Sequence, residues 1–206
     1  MLIHNPMEIE KRSFEIITQE LTVPIPKENE LVVKRVIHCT ADFDYAQNLA
    51  FSDGAVAHAL DVLQKGCDIV TDTQMAMAGI NKSAAAALGC GLHCFMSDSD
   101  VAQTAKERGS TRAAAAMEKA ASLNKPLIFA VGNAPTAILA LRDLIDAGKV
   151  KPELIIGVPV GFVNILEAKD AIMEAGVPYI VARGRKGGSN VAAAIVNALM
   201  YQLKRP

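Results

Sequence analysis

Apolar and polar positions follow the same order three times in the second half of the chain. A strand-length apolar run leads into a glycine-bearing turn and then an amphipathic run of helix length, in FAVGNAPTAILAL, LIIGVPVGFVNIL and YIVARGRKGGSNVAAAIVNAL. The first half adds two apolar runs that predict strands, CDIVTD at 67–72 and GLHCFM at 91–96. This alternation is typical of a mostly parallel sheet with helices on both faces, so we predict a three-layer α/β fold. Ligands bind such folds at the carboxyl ends of the strands, where the glycine turns fall.

Helix signals separate these strands. The Asn5-Pro6 pair predicts a helix over 6–20 with the asparagine as its cap. Further helices are predicted over 53–65, over 75–87 with a break near Gly79, and after Gly109-Ser110-Thr111.

The helix over 6–20 has a hydroxyl on its apolar side. Ser13 lies four residues from Ile9 on the apolar stripe, and Arg12 lies at the border of that stripe. A serine on an inward face needs a hydrogen-bond partner. Two interpretations stay open: Ser13 bonds back to its own helix, or this face of the helix meets a polar ligand.

His38 is the histidine placed best for chemistry. It ends the amphipathic run ELVVKRVIH, and Thr40 follows as the predicted cap of a helix with Asp42 and Asp44 in its first turn. An imidazole titrates near neutrality, so His38 is a candidate proton donor; the alternative is a structural histidine bonded to the cap. The other histidines fall in a terminus, an alanine-rich helix and a predicted strand: His4, His58 and His93.

Cations occupy positions where helices are predicted to begin. Arg183, Arg185 and Lys186 precede the last helix, and Arg112 falls in the first turn of the helix after Thr111. A helix N-terminus already has unpaired N–H groups and a partial positive charge, so cations there disfavour the helix. We therefore predict that these cations and the backbone bind a ligand with several negative groups. For Arg112 alone, the alternative is a solvated surface charge.

Composition limits the classes of function. The 206 residues suffice for one domain with a sizeable core, 51% of them are hydrophobic, and the formal net charge is −1. A chain without an overall positive charge and with few aromatic residues is not expected to bind nucleic acid or an anionic membrane. We find no secretory signal and no apolar stretch near the roughly 20 residues that span a bilayer, so we expect a cytoplasmic protein with reduced cysteines.

Neither a metal motif nor a nucleotide motif is complete. Cys90, His93 and Cys94 share the group CGLHC, but the segment resembles a strand and no second ligand pair follows, so we predict no metal site. GNAPTA lacks the Lys-Ser/Thr of a P-loop, and the glycines of GRKGGS have another spacing than a dinucleotide fingerprint. A generic phosphate or flavin site remains an alternative without a signature.

Taken together, these segments resemble the precorrin-8X methylmutase family of cobalamin biosynthesis. The matching stretches cover nearly the whole chain in order: NPMEIEKRSFEII, RVIHCTADFDYA, FSDGAV, TDTQMAMAGI, GSTRAAAAM, VGNAPTAI, GVPVGFVNILEAK and RGRKGGSNVAAAIVNAL. The resemblance implies a single flavodoxin-like domain over 1–206, with 1–25 as an N-terminal helical segment packed on it. It also implies a homodimer whose binding cleft lies near the subunit interface.

The activity implied by this resemblance is an isomerisation that moves a methyl group from C-11 to C-12 of precorrin-8X or cobalt-precorrin-8. The product would be hydrogenobyrinate, or cobyrinate in the cobalt form. His38, in the I-H motif, would be the acid that promotes a sigmatropic methyl shift. No cofactor is implied, and cobalt would enter only as part of the tetrapyrrole substrate. The predicted substrate-binding residues are Arg12, Ser13, Thr40, Arg112, Gly132, Asn133, Gly161, Arg183, Arg185, Lys186, Gly188 and Ser189.

Two other classes of function stay open. A non-catalytic tetrapyrrole carrier would form coloured complexes without turnover. A flavodoxin-like nucleotide or phosphate binder would be yellow or would be stabilised by nucleotide, and the missing loop signatures disfavour it.

Overall fold

The computed structural model describes residues 4–204, and its strands lie in one six-stranded sheet. The strands are β1 (Leu49–Phe51), β2 (Asp68–Thr71), β3 (Gly91–His93), β4 (Leu127–Val131), β5 (Leu154–Gly157) and β6 (Tyr179–Ala182). Their order is β1-β6-β5-β4-β2-β3, and every neighbouring pair is parallel except β1 with β6. The prediction of a mostly parallel α/β sheet is confirmed.

Helices connect the strands and cover the sheet on both sides. They are α1 (Pro6–Glu20), α2 (Glu30–Thr40), α3 (Tyr45–Asn48), α4 (Ala55–Lys65), α5 (Gln74–Gly79), α6 (Lys82–Ala87), α7 (Ser99–Glu107), α8 (Arg112–Ala120), α9 (Pro135–Asp146), α10 (Ile165–Met173) and α11 (Ser189–Leu203). The predicted cap of α1 is confirmed, because the Asn5 side chain accepts hydrogen bonds from the N–H groups of Met7 and Glu8. The predicted break near Gly79 separates α5 from α6.

The core consists of two apolar clusters, one on each face of the sheet. Successive strand residues point to opposite faces, so Ile128 belongs to one cluster and Phe129 to the other. The first cluster includes α11, which packs mainly against α2 and α5; the second includes α8, α9 and α10. Strands that are buried on both faces need apolar residues at nearly every position. The strands of this chain are therefore largely apolar runs, and it is the strands and helices that alternate along the sequence.

The segment after His38 differs from the prediction. Thr40 does not begin a helix: it is the last residue of α2, and its hydroxyl donates to the carbonyl of Val36 at 2.8 Å. Ala41 then ends the helix in the left-handed conformation, with φ of 53°. The next helix, α3, has only four residues and is followed by β1. The helix predicted to begin at Thr40 thus does not continue: the run of β1 pairs with β6, more than 120 residues away.

Three smaller differences concern two element boundaries and one additional helix. The strand predicted over 91–96 ends at His93, and a 3-10 turn follows at Phe95–Ser97. Helix α4 begins at Ala55 rather than at 53, because Gly54 turns the chain with a φ of 67°. Helix α7 was not predicted. Along residues 4–204, no helix is long and apolar enough to cross a membrane.

Candidate active site

The carboxyl ends of β4, β5 and β6 meet beneath the loop 183–188. The backbone of Gly132, which follows β4, lies so close to Ser189 that an added Cβ would stand 2.7 Å from the Ser189 Cα. On the β5 side, the N–H of Gly188 donates to the carbonyl of Val158 at 2.9 Å. A Cβ at Gly187 would stand 2.1 Å from that same carbonyl oxygen. Only glycine permits such close backbone approaches, so these residues pack the loop onto the strand ends.

Asp72 provides the anion at the start of α9. Its buried carboxylate follows β2 and accepts hydrogen bonds from the N–H groups of Gly132, Asn133 and Ala134 at 2.7–2.8 Å. Burial raises the pKa of Asp72, and the three N–H groups oppose that effect because they stabilise its charged form. The N–H groups of Gly132 and Asn133, two predicted substrate-binding residues, are therefore already bonded to a carboxylate of the protein.

Lys186 also has partners within the chain. Its ammonium donates to the carboxylates of Asp42 at 2.6 Å and Asp44 at 2.7 Å, which lie between α2 and α3. The Asp42 carboxylate and then that of Asp44 raise the pKa of Lys186, and the lysine in turn lowers the pKa of Asp42. The three cations of the loop lie before α11, which begins only at Ser189, and not in its first turn. Gly187 and Gly188, with positive φ angles of 159° and 140°, separate them from the helix.

The loop arginines, in contrast, are exposed. Arg185 lies with its guanidinium carbon 5.5 Å from the centroid of the Phe162 ring, and its carbonyl accepts from the N–H of Gly161 at 3.3 Å. The backbone N–H of Arg183 donates to the carbonyl of Asn48. Among the residues that the structure describes, neither guanidinium forms an ion pair.

Arg112 begins α8 beside the first turn of α9. Thr111 caps α8 by accepting from the N–H of Ala114, and its hydroxyl donates to the hydroxyl of Thr136 in α9 at 3.0 Å. The Arg112 side chain is exposed and has no hydrogen-bond or ion-pair partner within residues 4–204. It is thus available to a ligand at the carboxyl end of β4.

His38 lies in the last turn of α2 and packs against α1. Its ring centroid is 5.4 Å from that of Phe14. Partial burial lowers the pKa of His38, the nearby positive charge of Arg35 lowers it further, and Glu10 opposes both effects. On the same helix as Phe14, Ser13 donates to the carbonyl of Ile9 at 2.8 Å, so its hydroxyl bonds back to its own helix as in the first interpretation.

The end of α2 contacts the start of α11 through Cys39. The Cys39 sulfur lies 3.7 Å from the side-chain nitrogen of Asn190 and 3.8 Å from its carbonyl oxygen. Asn190 follows Ser189 in the first turn of α11. The turn that carries His38 and the cation-rich loop are therefore neighbours at one edge of the sheet.

Comparisons with known proteins identify the family of this chain. Residues 8–202 match the model of the family described as "Precorrin-8X methylmutase". The chain belongs to the precorrin-8X methylmutase family. The matched residues run from α1, which carries Ser13, to α11, which follows the loop 183–188.

Relatives of this family cover the chain almost from end to end. A cobalt-precorrin-8 methylmutase of Salmonella typhimurium is 44% identical, over 98% of this chain and 98% of its own. A precorrin-8X methylmutase of Pseudomonas aeruginosa is 39% identical, over 96% of each chain. A crystal structure of precorrin-8x methyl mutase from Thermus thermophilus has a TM-score of 0.85 and 41% identity, and covers 94% of this chain and 96% of its own. The family and the fold are thus shown by sequence and by structure.

The structure of this methylmutase family member groups most of the predicted site residues around two centres. Gly132, Gly161, Gly188 and Ser189 lie at or beside the loop of Arg183, Arg185 and Lys186. Thr40 accepts from the N–H of Asp42, the partner of Lys186. Arg12 and Ser13 lie on α1, which also carries Phe14, the ring that contacts His38. Arg12 forms an ion pair with Glu15 at 3.0 Å. Asn133 has an exposed side chain while its N–H donates to Asp72.

Sequence reasoning missed two residues that shape this edge. Asp72 is the last residue of the strand predicted over 67–72, and a carboxylate at the carboxyl end of a strand was a usable signal. Lys169 is the other: it lies in α10 with 1% of its surface exposed and donates to two carbonyls of the loop 183–188. Lysine is almost never fully buried, so its position in the sequence gave no sign of this role. Within residues 4–204, no three histidine, cysteine or acidic side chains are grouped to hold a metal ion.

Proposed function

We propose that this chain moves a methyl group from C-11 to C-12 of precorrin-8X or of cobalt-precorrin-8. The observation that carries the proposal is the contact of Cys39 with Asn190, which joins the His38 turn to the start of α11, directly after the cation-rich loop. One edge of the sheet thereby combines a titratable imidazole with guanidinium groups that suit a substrate bearing many carboxylate arms. The names of the relatives in this family favour the same reaction.

In the proposed mechanism, His38 acts as a general acid and donates a proton to the conjugated macrocycle. Protonation makes the ring system more electron-deficient, which favours a sigmatropic shift of the methyl group. The same proton returns to the imidazole afterwards, so the reaction is a net isomerisation and needs neither a methyl donor nor a redox partner. A lowered pKa makes the imidazolium a stronger acid but reduces the fraction that is protonated at neutral pH. Carboxylate arms bound close to His38 would restore that fraction, because negative charge favours imidazolium.

We further propose that the exposed arginines, rather than Lys186, bind the carboxylate arms of the substrate. Arg112, Arg183 and Arg185 have exposed guanidinium groups, whereas Lys186 is already paired with Asp42 and Asp44. A guanidinium binds a carboxylate through two parallel hydrogen bonds. Cobalt, where present, would arrive as part of the substrate.

A homodimer with its interface beside the loop is also proposed. Four apolar side chains after β5 are exposed, and Phe162, which contacts Arg185, is 81% exposed. Exposed apolar groups that cluster along one segment favour a protein interface. The four are Val160, Phe162, Val163 and Leu166. Light scattering should give the mass of a dimer. Phe162→Asp should weaken the dimer, while Met7→Asp, on α1, should not.

We also propose that the enzyme is cytoplasmic, where its free cysteines would stay reduced.

The decisive experiment follows the visible spectrum of precorrin-8X, and separately of cobalt-precorrin-8, after the purified protein is added. We expect a shift to the spectrum of the product with at least one of the two substrates. His38→Asn should abolish turnover while circular dichroism shows an intact fold. A coloured complex without turnover would identify a carrier instead, and full activity of His38→Asn would exclude His38 as the acid.

A further inference from the structure

Lys169 places a positive charge in the interior of the protein. Its side chain is 1% exposed, and no carboxylate of the described chain lies within ion-pair distance of it. Its ammonium donates to the carbonyl of Gly184 at 2.7 Å and to the carbonyl of Lys186 at 2.9 Å. Burial lowers the pKa of Lys169 to about 8, which shows that the surroundings disfavour the charge.

Three successive carbonyls of the loop accept hydrogen bonds from the segment that follows β5. Lys169 binds those of residues 184 and 186, and the N–H of Gly161 binds the carbonyl of Arg185 between them. Lys169 and Gly161 both belong to the segment that follows β5. With these carbonyls turned toward that segment, the side chains of Arg183, Arg185 and Lys186 are all exposed.

A purely structural role would not require a cation at this position. Replacing buried charges by apolar side chains of similar volume is often neutral or stabilising, because the cost of removing the charge from water disappears. Lys169 lies directly beneath the residues that carry the positive charge of the proposed site. Its own charge adds to their attraction for a polyanion, and this contribution is little screened because the ammonium is buried.

We infer that Lys169 is a positioning residue, whose ammonium fixes the loop 183–186 in the conformation that presents its cations to the carboxylate arms of the substrate. The inference rests on the proposed function for the identity of the ligand, but the conformation of the loop is measurable without any substrate. Lys169 acts through the loop and touches no reacting atom.

The first test is limited digestion with trypsin, which cleaves after arginine and lysine and therefore reports on the loop directly. Lys169→Met removes the donors, and we expect cleavage within 183–186 to become about tenfold faster under native conditions. Ile172→Val is the matched control: it weakens the buried face of the same helix without touching the loop, so its loop should stay protected. Equal rates in the wild type and in Lys169→Met would overturn the inference.

The second test separates positioning from general destabilisation through kinetics. Lys169→Met should raise KM for the tetrapyrrole about tenfold and leave kcat within about twofold, whereas Ile172→Val should change neither. Lys169→Gln keeps two N–H donors without the charge; it should restore protection from trypsin and only part of the affinity. This variant also decides the matter if Lys169→Met does not fold. A loss of kcat at constant KM would contradict a positioning role, and a wild type without turnover would contradict the proposed function while the digestion result stands.

Discussion

The hydroxyl oxygens of Thr73 and Ser189 lie 2.8 Å apart although 116 positions separate them in the chain. Thr73 caps α5 by accepting from the N–H of Ala76 at 3.0 Å, so one hydroxyl serves both the helix and the distant serine. The hydrogen bond ties the turn after β2 to the start of α11. It therefore fixes the far end of the loop whose near end is held by Lys169.

A double-mutant cycle should measure this link. Ser189→Ala removes only the hydrogen bond and should lower the free energy of unfolding by about 0.5–1.5 kcal/mol. Thr73→Val also removes the helix cap and should cost about 1 kcal/mol more. In the double variant the cost should be less than the sum, because the shared bond is lost only once. Urea unfolding gives all four values, and strict additivity would show that the two hydroxyls do not interact.

Gly132→Ala should be strongly unfavourable. The added Cβ would stand 2.7 Å from the Cα of Ser189 and 2.8 Å from the carbonyl oxygen of Gly188, and neither backbone atom can move without displacing the loop. We expect a loss of about 1–3 kcal/mol in unfolding free energy together with faster trypsin cleavage of the loop. Gly148→Ala is the comparison: its φ of 65° imposes a backbone penalty, but nothing lies within 4 Å of the new Cβ. That variant should leave the digestion of the loop unchanged.

Asp72→Asn should destabilise the turn after β4. An amide has a single acceptor oxygen, so its NH₂ group must face at least one of the N–H groups that the carboxylate now accepts. We expect a cost of about 1–3 kcal/mol by thermal or urea unfolding. Asp170→Asn, an exposed aspartate on α10, should change stability by less than about 0.5 kcal/mol. Wild-type stability of Asp72→Asn would mean that water satisfies these groups.

His38 should titrate below its ordinary value of 6.5 in the free enzyme. Burial is the main cause and the charge of Arg35 is the second, so Arg35→Met should raise the pKa and leave the opposing charge of Glu10 in place. NMR titration of the imidazole resonances measures both values. Arg142→Met, on α9, is the control and should not move the His38 titration. A pKa that stays constant in Arg35→Met would show that burial alone sets it.

The pH dependence of the unfolding free energy should report the lowered pKa of Lys169. Its pKa is about 8 in the folded protein and near the ordinary 10.5 in the unfolded chain, so between these values the unfolded state binds more protons. The free energy of unfolding should therefore rise with pH across this window. Lys169→Met should lack this contribution, and the difference between the two proteins is the quantity to measure by urea unfolding. Parallel profiles from pH 8 to 10.5 would contradict the lowered pKa.

The sequence predicted the regular part of the fold because local patterns specify it. The three strand–turn–helix units, the Asn5 cap and the break near Gly79 all depend on residues that are close in the chain. The apolar run of β1 could not be assigned in that way, because its strand character comes from pairing with β6. Thr40 was misassigned since serine and threonine suit a helix start, while here its hydroxyl bonds within the helix that it ends.

The types of residue in the site could be predicted from the sequence. The ion pairs and hydrogen bonds between them could not. The sequence pointed to the cations and to His38, yet it could not show that Lys186 meets Asp42 or that Asp72 fills the turn after β4. These partners come together only through the order of the strands. Lys169 was missed for a related reason, because the periodicity of α10 does not distinguish a buried lysine from an exposed one.

The packing of α2 against α11 has a consequence for how the protein is made. Helix α2 leaves the ribosome well before α11, so the parts of Val32, Val33 and Val36 that α11 covers in the folded protein stay uncovered until α11 is synthesised. Strand β1 likewise cannot pair until β6 has been synthesised. Long-range contacts of this kind slow folding and leave nascent chains prone to aggregation. The histidine-bearing half of the molecule thus depends, during translation, on a helix that is synthesised much later.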